Sequence, residues 1–117
     1  MRIGIVGSRN RNSIEDYTLV ERAFLQLRSD GDSIVSGGCP SGGDKFAEII
    51  AAKFDVPIEV YSADWRQHGR SAGFRRNGII AAKSDVLIAC VGIPGRGTRD
   101  TINKFRQLHV GATVKEV

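Results

Sequence analysis

Residues 84–100 read SDVLIACVGIPGRGTRD, and this stretch decides the fold. Val86–Val91 is a continuous apolar run of strand length, and Gly92–Gly97 is a glycine-rich turn. Such a run reads as a buried strand. Thr98 then stands where it can cap a helix running to about Leu108, with Ile102, Phe105 and Leu108 on one face. A helix start of this kind carries unpaired N–H donors and partial positive charge, so it favours an anion. Glycines let the backbone approach a ligand closely. The same turn also serves as an ordinary connection in parallel-sheet proteins, and the stretch alone leaves both readings open.

Working outward, Arg2–Val6 is a short β-branched strand followed by the turn Gly7-Ser8-Arg9-Asn10. Ser13 and Asp16 resemble a capping box, and Tyr17, Val20, Phe24 and Leu27 recur at helical spacing as core residues. Asp30-Gly31-Asp32 stops that helix, and Ser33–Ser36 is a second strand. Four glycines then fall within Gly37–Asp44, a cost that a tight turn or a close ligand contact explains. Asp44 starts a helix whose apolar stripe is Phe46, Ala47, Ile50, Ala51 and Phe54. Ile58–Tyr61 is a third strand. Ser62–Arg70 has no periodicity and holds the only tryptophan, Trp65, which reads either as a lid over a pocket or as a staple to the core. Ser71–Lys83 is a helix in which Arg76 lies near the buried face; it either snorkels or points at an anion, beside an unusual mid-helix Asn77. Ala112–Val117 supplies a last edge strand.

The alternation β-α-β-α-β-α-β-α-β predicts an α/β fold, a Rossmann-like doubly wound three-layer sandwich. Its mostly parallel five-stranded sheet takes the order 3-2-1-4-5, in one domain spanning residues 1–117. Ligands of such sheets bind beyond the strand C-termini where the order reverses, here between strands one and four. That places Gly7–Asn10, Gly92–Thr98 and Gly37–Asp44 around one crevice. Gly4-Ile5-Val6-Gly7-Ser8-Arg9 is not a dinucleotide fingerprint, so no NAD-type cofactor is expected.

The chain has 117 residues, 41% hydrophobic and 26% charged, which suits one modest globular core. No apolar run reaches membrane-span length, and the first strand leaves no room for a leader. Cys39 and Cys90 are too few for a disulfide framework, so a reducing cytoplasm is expected. Cys90 reads as core. Cys39 reads as a solvated thiol, with a low-pKa thiol as the alternative. His68 and His109 lack a second ligand at metal spacing, so no metal is assigned. The net charge of +4 permits attraction to phosphates or nucleic acid. Arg66, Arg70, Arg75 and Arg76 form the densest basic group, with Arg96 and Arg99 in the loop above.

Taken together, Gly7-Ser8-Arg9, Gly37-Gly38, Gly42-Gly43-Asp44 with Ala47, Trp65 with Gly69, Ala72-Gly73, Arg76-Asn77, Asp85, and Gly95-Arg96-Gly97-Thr98 with Asp100 resemble the SLOG superfamily. Within it they resemble the YspA-like branch of small bacterial and phage domains. The resemblance covers about residues 2–108. It implies a Rossmann-like fold that binds nucleotides or nucleotide-derived signals. Related groups are the Lonely-guy phosphoribohydrolases and the DNA-processing protein A domain. Lonely-guy enzymes carry P-G-G-x-G-T-x-x-E with a catalytic Glu. Here Pro94–Thr98 is one residue shorter, and the Glu position falls on Thr101. Arg76 matches the Arg of their Arg-Lys pair, with Asn77 replacing Lys. The phosphate-binding half is present, and the catalytic carboxylate is absent from its place.

Three functions follow as expectations. In the first, the domain binds or senses a nucleotide-derived ligand. Gly97 and Thr98 amides, helped by the Thr98 hydroxyl and Arg76, hold a phosphate. Gly7, Ser8 and Arg9 form the opposite wall, with Gly37, Gly38, Asn77 and Gly95 also at the site. Trp65 stacks on a base, and Asp44 accepts from ribose unless it is only a helix cap. In the second, a hydrolase cleaves the N-glycosidic bond of nucleoside 5′-monophosphates, and Asp100 or Asp44 stabilises the oxocarbenium-like transition state. Helix polarity alone also favours Asp100 in a first turn. The third is single-stranded nucleic-acid binding through the arginines, which one Trp and two Tyr do little to support. Self-association to complete the pocket is a further expectation.

Overall fold

The structure, a computed structural model, describes residues 1–117. Strands β1 (Arg2–Gly7), β2 (Ser33–Ser36), β3 (Ile58–Val60), β4 (Val86–Cys90) and β5 (Val114–Glu116) form one sheet in the order β3-β2-β1-β4-β5. Every pairing is parallel. Helices α1 (Ile14–Leu27), α2 (Gly43–Lys53), α3 (Trp65–His68), α4 (Ala72–Lys83) and α5 (Arg96–Leu108) connect the strands. The fold is thus the Rossmann-like α/β architecture and strand order expected from the alternation of elements.

The period of two along the strands divides the core between the two faces. Ile3 and Ile5 of β1, Ile34 of β2 and Ile88 of β4 meet Val20 and Phe24 of α1 and Phe46 and Ile50 of α2. Val6, Val35, Leu87 and Ala89 point the other way, onto Ile80 of α4 and Ile102 and Phe105 of α5. Full burial of each such large aliphatic or aromatic side chain contributes about 1.5–3 kcal/mol. Tyr17 packs edge-on against Phe46 at 5.5 Å, which fits its reading as a core residue. No helix is long and apolar enough to cross a membrane.

The start of α1 follows the sequence pattern. Ser13 Oγ accepts from the Asp16 amide at 3.0 Å, and Asp16 accepts from the Ser13 amide at 3.3 Å. Two other helix starts differ from expectation. Gly42 (φ 73°) precedes α2, two residues before Asp44, and Gly95 (φ 64°) precedes α5, three residues before Thr98, the side chains read as caps. Backbone conformations open to glycine turn the chain there, so Asp44 and Thr98 lie inside the first turns with their side chains free for other contacts. The stretch without periodicity contains a one-turn helix, α3, capped by Asp64, and then a 3-10 turn at Gly69–Ser71. Its shortness hides it from any periodic signal.

Candidate functional site

At the reversal of strand order, the loops after β1 and β4 and the start of α2 surround one cavity of about 490 Å3. Short contacts lock these loops together. Ser8 Oγ accepts from the Gly92 amide at 2.8 Å and lies 3.2 Å from Thr98 Oγ1. Asn10 donates to the Ile93 carbonyl (2.9 Å), Arg11 donates to the Val91 carbonyl (2.9 Å), and Asn12 accepts from the Gly42 amide (2.9 Å). Gly7 and Gly43 touch backbone to backbone, and a Cβ on either would overlap the other segment. The Ile93–Pro94 peptide is cis.

The first turn of α5 forms part of the wall through Gly95, Arg96, Gly97 and Thr98. Arg99 is the first residue of that turn whose amide is taken up, by the Gly95 carbonyl at 2.9 Å; the amides of Arg96, Gly97 and Thr98 make no hydrogen bond. Thr98 is only 7% exposed, and Gly97 would accept a Cβ without meeting any protein atom within 4 Å. Asn77 is buried and fixes this turn from α4, donating to the Gly97 carbonyl at 3.2 Å and to Asp100 Oδ2 at 3.1 Å. The fold thus holds the carbonyl of Gly97 and leaves the three amides toward the crevice free.

Arg76 reaches across from α4. Its Nη1 donates to the Gly37 carbonyl at 2.7 Å and its Nε to Asn77 Oδ1 at 3.1 Å. A Cβ at residue 37 would lie 2.5 Å from that guanidinium, so Gly37 makes the approach possible. Asp44 is 6% exposed and lines the cavity. Its Oδ2 accepts from the Cys39 amide at 3.1 Å. Burial pushes the Asp44 carboxyl above the usual carboxylate range, against the pull of the Cys39 and Gly37 amides and the Arg76 guanidinium.

Trp65 is 57% exposed at the mouth and rests on Gly73, with its ring 3.5 Å from where a Cβ would stand. It borders both this cavity and a smaller one of about 290 Å3 reached past Gly37 and Gly38. The structure therefore brings Gly7, Ser8, Arg9, Asp44, Trp65, Arg76, Asn77, Gly95, Gly97 and Thr98 to one cavity, and Gly37 and Gly38 to its neighbour. Asp100 is not part of either wall; its Oδ2 pairs with Lys104 Nζ at 2.7 Å, four residues on, besides Asn77. Thr101, at the position of the Lonely-guy carboxylate, is buried and donates to the Gly97 carbonyl at 3.2 Å.

Sequence reading did not assign Asn10 and Asn12 a role, although they stitch the loops together; two asparagines in a short turn were the available signal. Cys39, Arg70, Phe74 and Arg96 also line the cavity. Arg70 and Arg96 are visible in the sequence as basic residues and Cys39 as a loop thiol, while Phe74 carries no signal; their convergence depends on the crossover connections. Comparison with protein-family models, with curated proteins and with solved structures finds no match for this chain.

Proposed function

We propose that this domain binds a nucleotide or nucleotide-derived ligand in the cavity at the reversal of strand order. The observation that carries the reading is the convergence of three glycine-rich loops on one cavity bordered by the unpaired amides of Arg96, Gly97 and Thr98. A phosphate there receives backbone donors, the helix polarity and the Thr98 hydroxyl. Arg76, already oriented by Gly37 and Asn77, adds a charge-assisted contact. Trp65 offers an exposed indole face for a base, and the Asp44 carboxyl lining the cavity accepts from a sugar hydroxyl. The resemblance to the SLOG superfamily, carried by these same loops, supports the reading. The two unpaired cysteines fit a reducing, cytoplasmic setting.

A second reading is N-glycosidic hydrolysis, and one observation shapes it. Asp44 lines the cavity with a carboxyl raised by burial, whereas Asp100 is neutralised by Lys104 outside it. Turnover, if present, therefore falls to Asp44.

The test is a panel of nucleoside monophosphates, diphosphates and dinucleotides, followed by melting temperature and by release of free base in the same tubes. Binding raises the melting point by mass action, by about 2.7 kcal/mol of stability at a hundredfold excess over Kd. Thr98→Val and Arg76→Ala are expected to reduce the ligand-induced shift while the free proteins stay folded. Unchanged shifts in both variants sink the phosphate placement. Base release abolished by Asp44→Asn makes the domain a hydrolase.

A further inference from the structure

Arg9, Arg70, Arg76 and Arg96 all border the larger cavity. None of the four stands within salt-bridge distance of a carboxylate, a condition they share with Arg22, Arg28, Arg66 and Arg75 and not with Arg2, Arg11, Arg99 and Arg106; what sets them apart is that they converge on one cavity. The wall contains one carboxylate, Asp44. Four guanidinium groups against one acid is a large local excess of positive charge. A phosphate monoester carries about two negative charges at neutral pH and leaves part of that excess unmatched. Guanidinium groups suit phosphate oxygens because their planar donors bind two at once.

The smaller cavity points the same way. It shares Arg9, Cys39, Trp65 and Arg76 with the larger one and has no acidic side chain in its wall. Arg9 and Arg76 thus stand where the two cavities adjoin. Arg9 makes no side-chain hydrogen bond, so its guanidinium is available there.

Resting on the nucleotide-binding reading, we infer that the ligand carries at least two phosphates in series and spans both cavities. The first phosphate occupies the start of α5. The second lies between Arg9 and Arg76. The group beyond it enters the smaller cavity beside Trp65, Gly38 and Ser62. The chemical class is a pyrophosphate-bearing nucleotide, whether a nucleoside diphosphate or a dinucleotide joined through pyrophosphate.

Calorimetric titration at fixed ionic strength tests this with the 5′-mono- and diphosphates of adenosine, guanosine and uridine, and with ADP-ribose. For whichever base binds, the diphosphate is expected to bind at least tenfold more tightly than the monophosphate. In Arg9→Ala that ratio is expected to fall toward one; Arg9 is exposed and unpaired, so the variant is expected to fold, and the melting temperature of the free variant checks it. ADP-ribose binding more tightly than ADP supports occupation of the smaller cavity; equal binding removes that part. Equal affinities for mono- and diphosphates, or a ratio that survives in Arg9→Ala, overturn the inference while leaving nucleotide binding intact. Failure of every nucleotide to bind a folded protein removes the underlying reading, and this inference with it.

Discussion

A methyl group at position 97 would meet no protein atom, yet it would stand in the wall of the cavity. Glycine within a helix costs roughly 0.5–1 kcal/mol relative to alanine, so the fold gains nothing from Gly97. Gly97→Ala is expected to raise the melting temperature by a few degrees and to weaken nucleotide binding at least tenfold; calorimetry and thermal denaturation on one sample check both. Asp44 presents the same opposition in electrostatic form. Its carboxyl is raised because burial penalises the charge. The folded protein therefore holds that proton more tightly than the unfolded chain does. The contribution of Asp44 to stability is full below the ordinary carboxylate range and is lost as pH climbs through the folded value. Asp44→Asn, uncharged at every pH, is expected to melt higher than the natural protein at pH 7, with the gap closing on acidification toward pH 4. A variant that melts lower at pH 7 would show that the Arg76 attraction outweighs burial. Both variants gaining stability at cavity positions would fit residues kept for a ligand rather than for the fold.

At the scale of elements, the α1 start was legible because its caps are side chains. Ser13 and Asp16 exchange hydrogen bonds as their spacing suggests. Ser13→Ala is expected to cost about 1 kcal/mol. That is about 4 °C in a domain of this size, with nucleotide affinity unchanged; a thermal melt and one titration decide it. The starts of α2 and α5 were misplaced because Gly42 and Gly95 turn the chain through left-handed backbone angles, which leave no side-chain signature. The displacement bears on function. Asp44 and Thr98, relieved of capping, face the cavity instead. The Asn77 bridge from α4 to the first turn of α5 was likewise beyond sequence reading; the unusual polar residue was visible, but its partners Gly97 and Asp100 depend on how the helices pack.

At the scale of the molecule, the strand order was readable because parallel strands demand crossover helices, and right-handed crossovers leave few topologies. Apolar runs such as Val86–Cys90 declared the sheet, and the switch-point rule then located the crevice. What that rule does not convey is how stiffly the crevice is held. Gly7 lies against Gly43. With no side chain between them, the end of β1 and the start of α2 pack backbone on backbone; the Asn12 bond to the Gly42 amide ties them again, and the Ser8 and Asn10 bonds join the β4 loop to them. Across the cavity stands α3, four residues with none buried, carrying Trp65. The cavity is consequently asymmetric: one wall is bonded into the sheet, and the other, which carries the indole, has no buried residue anchoring its helix.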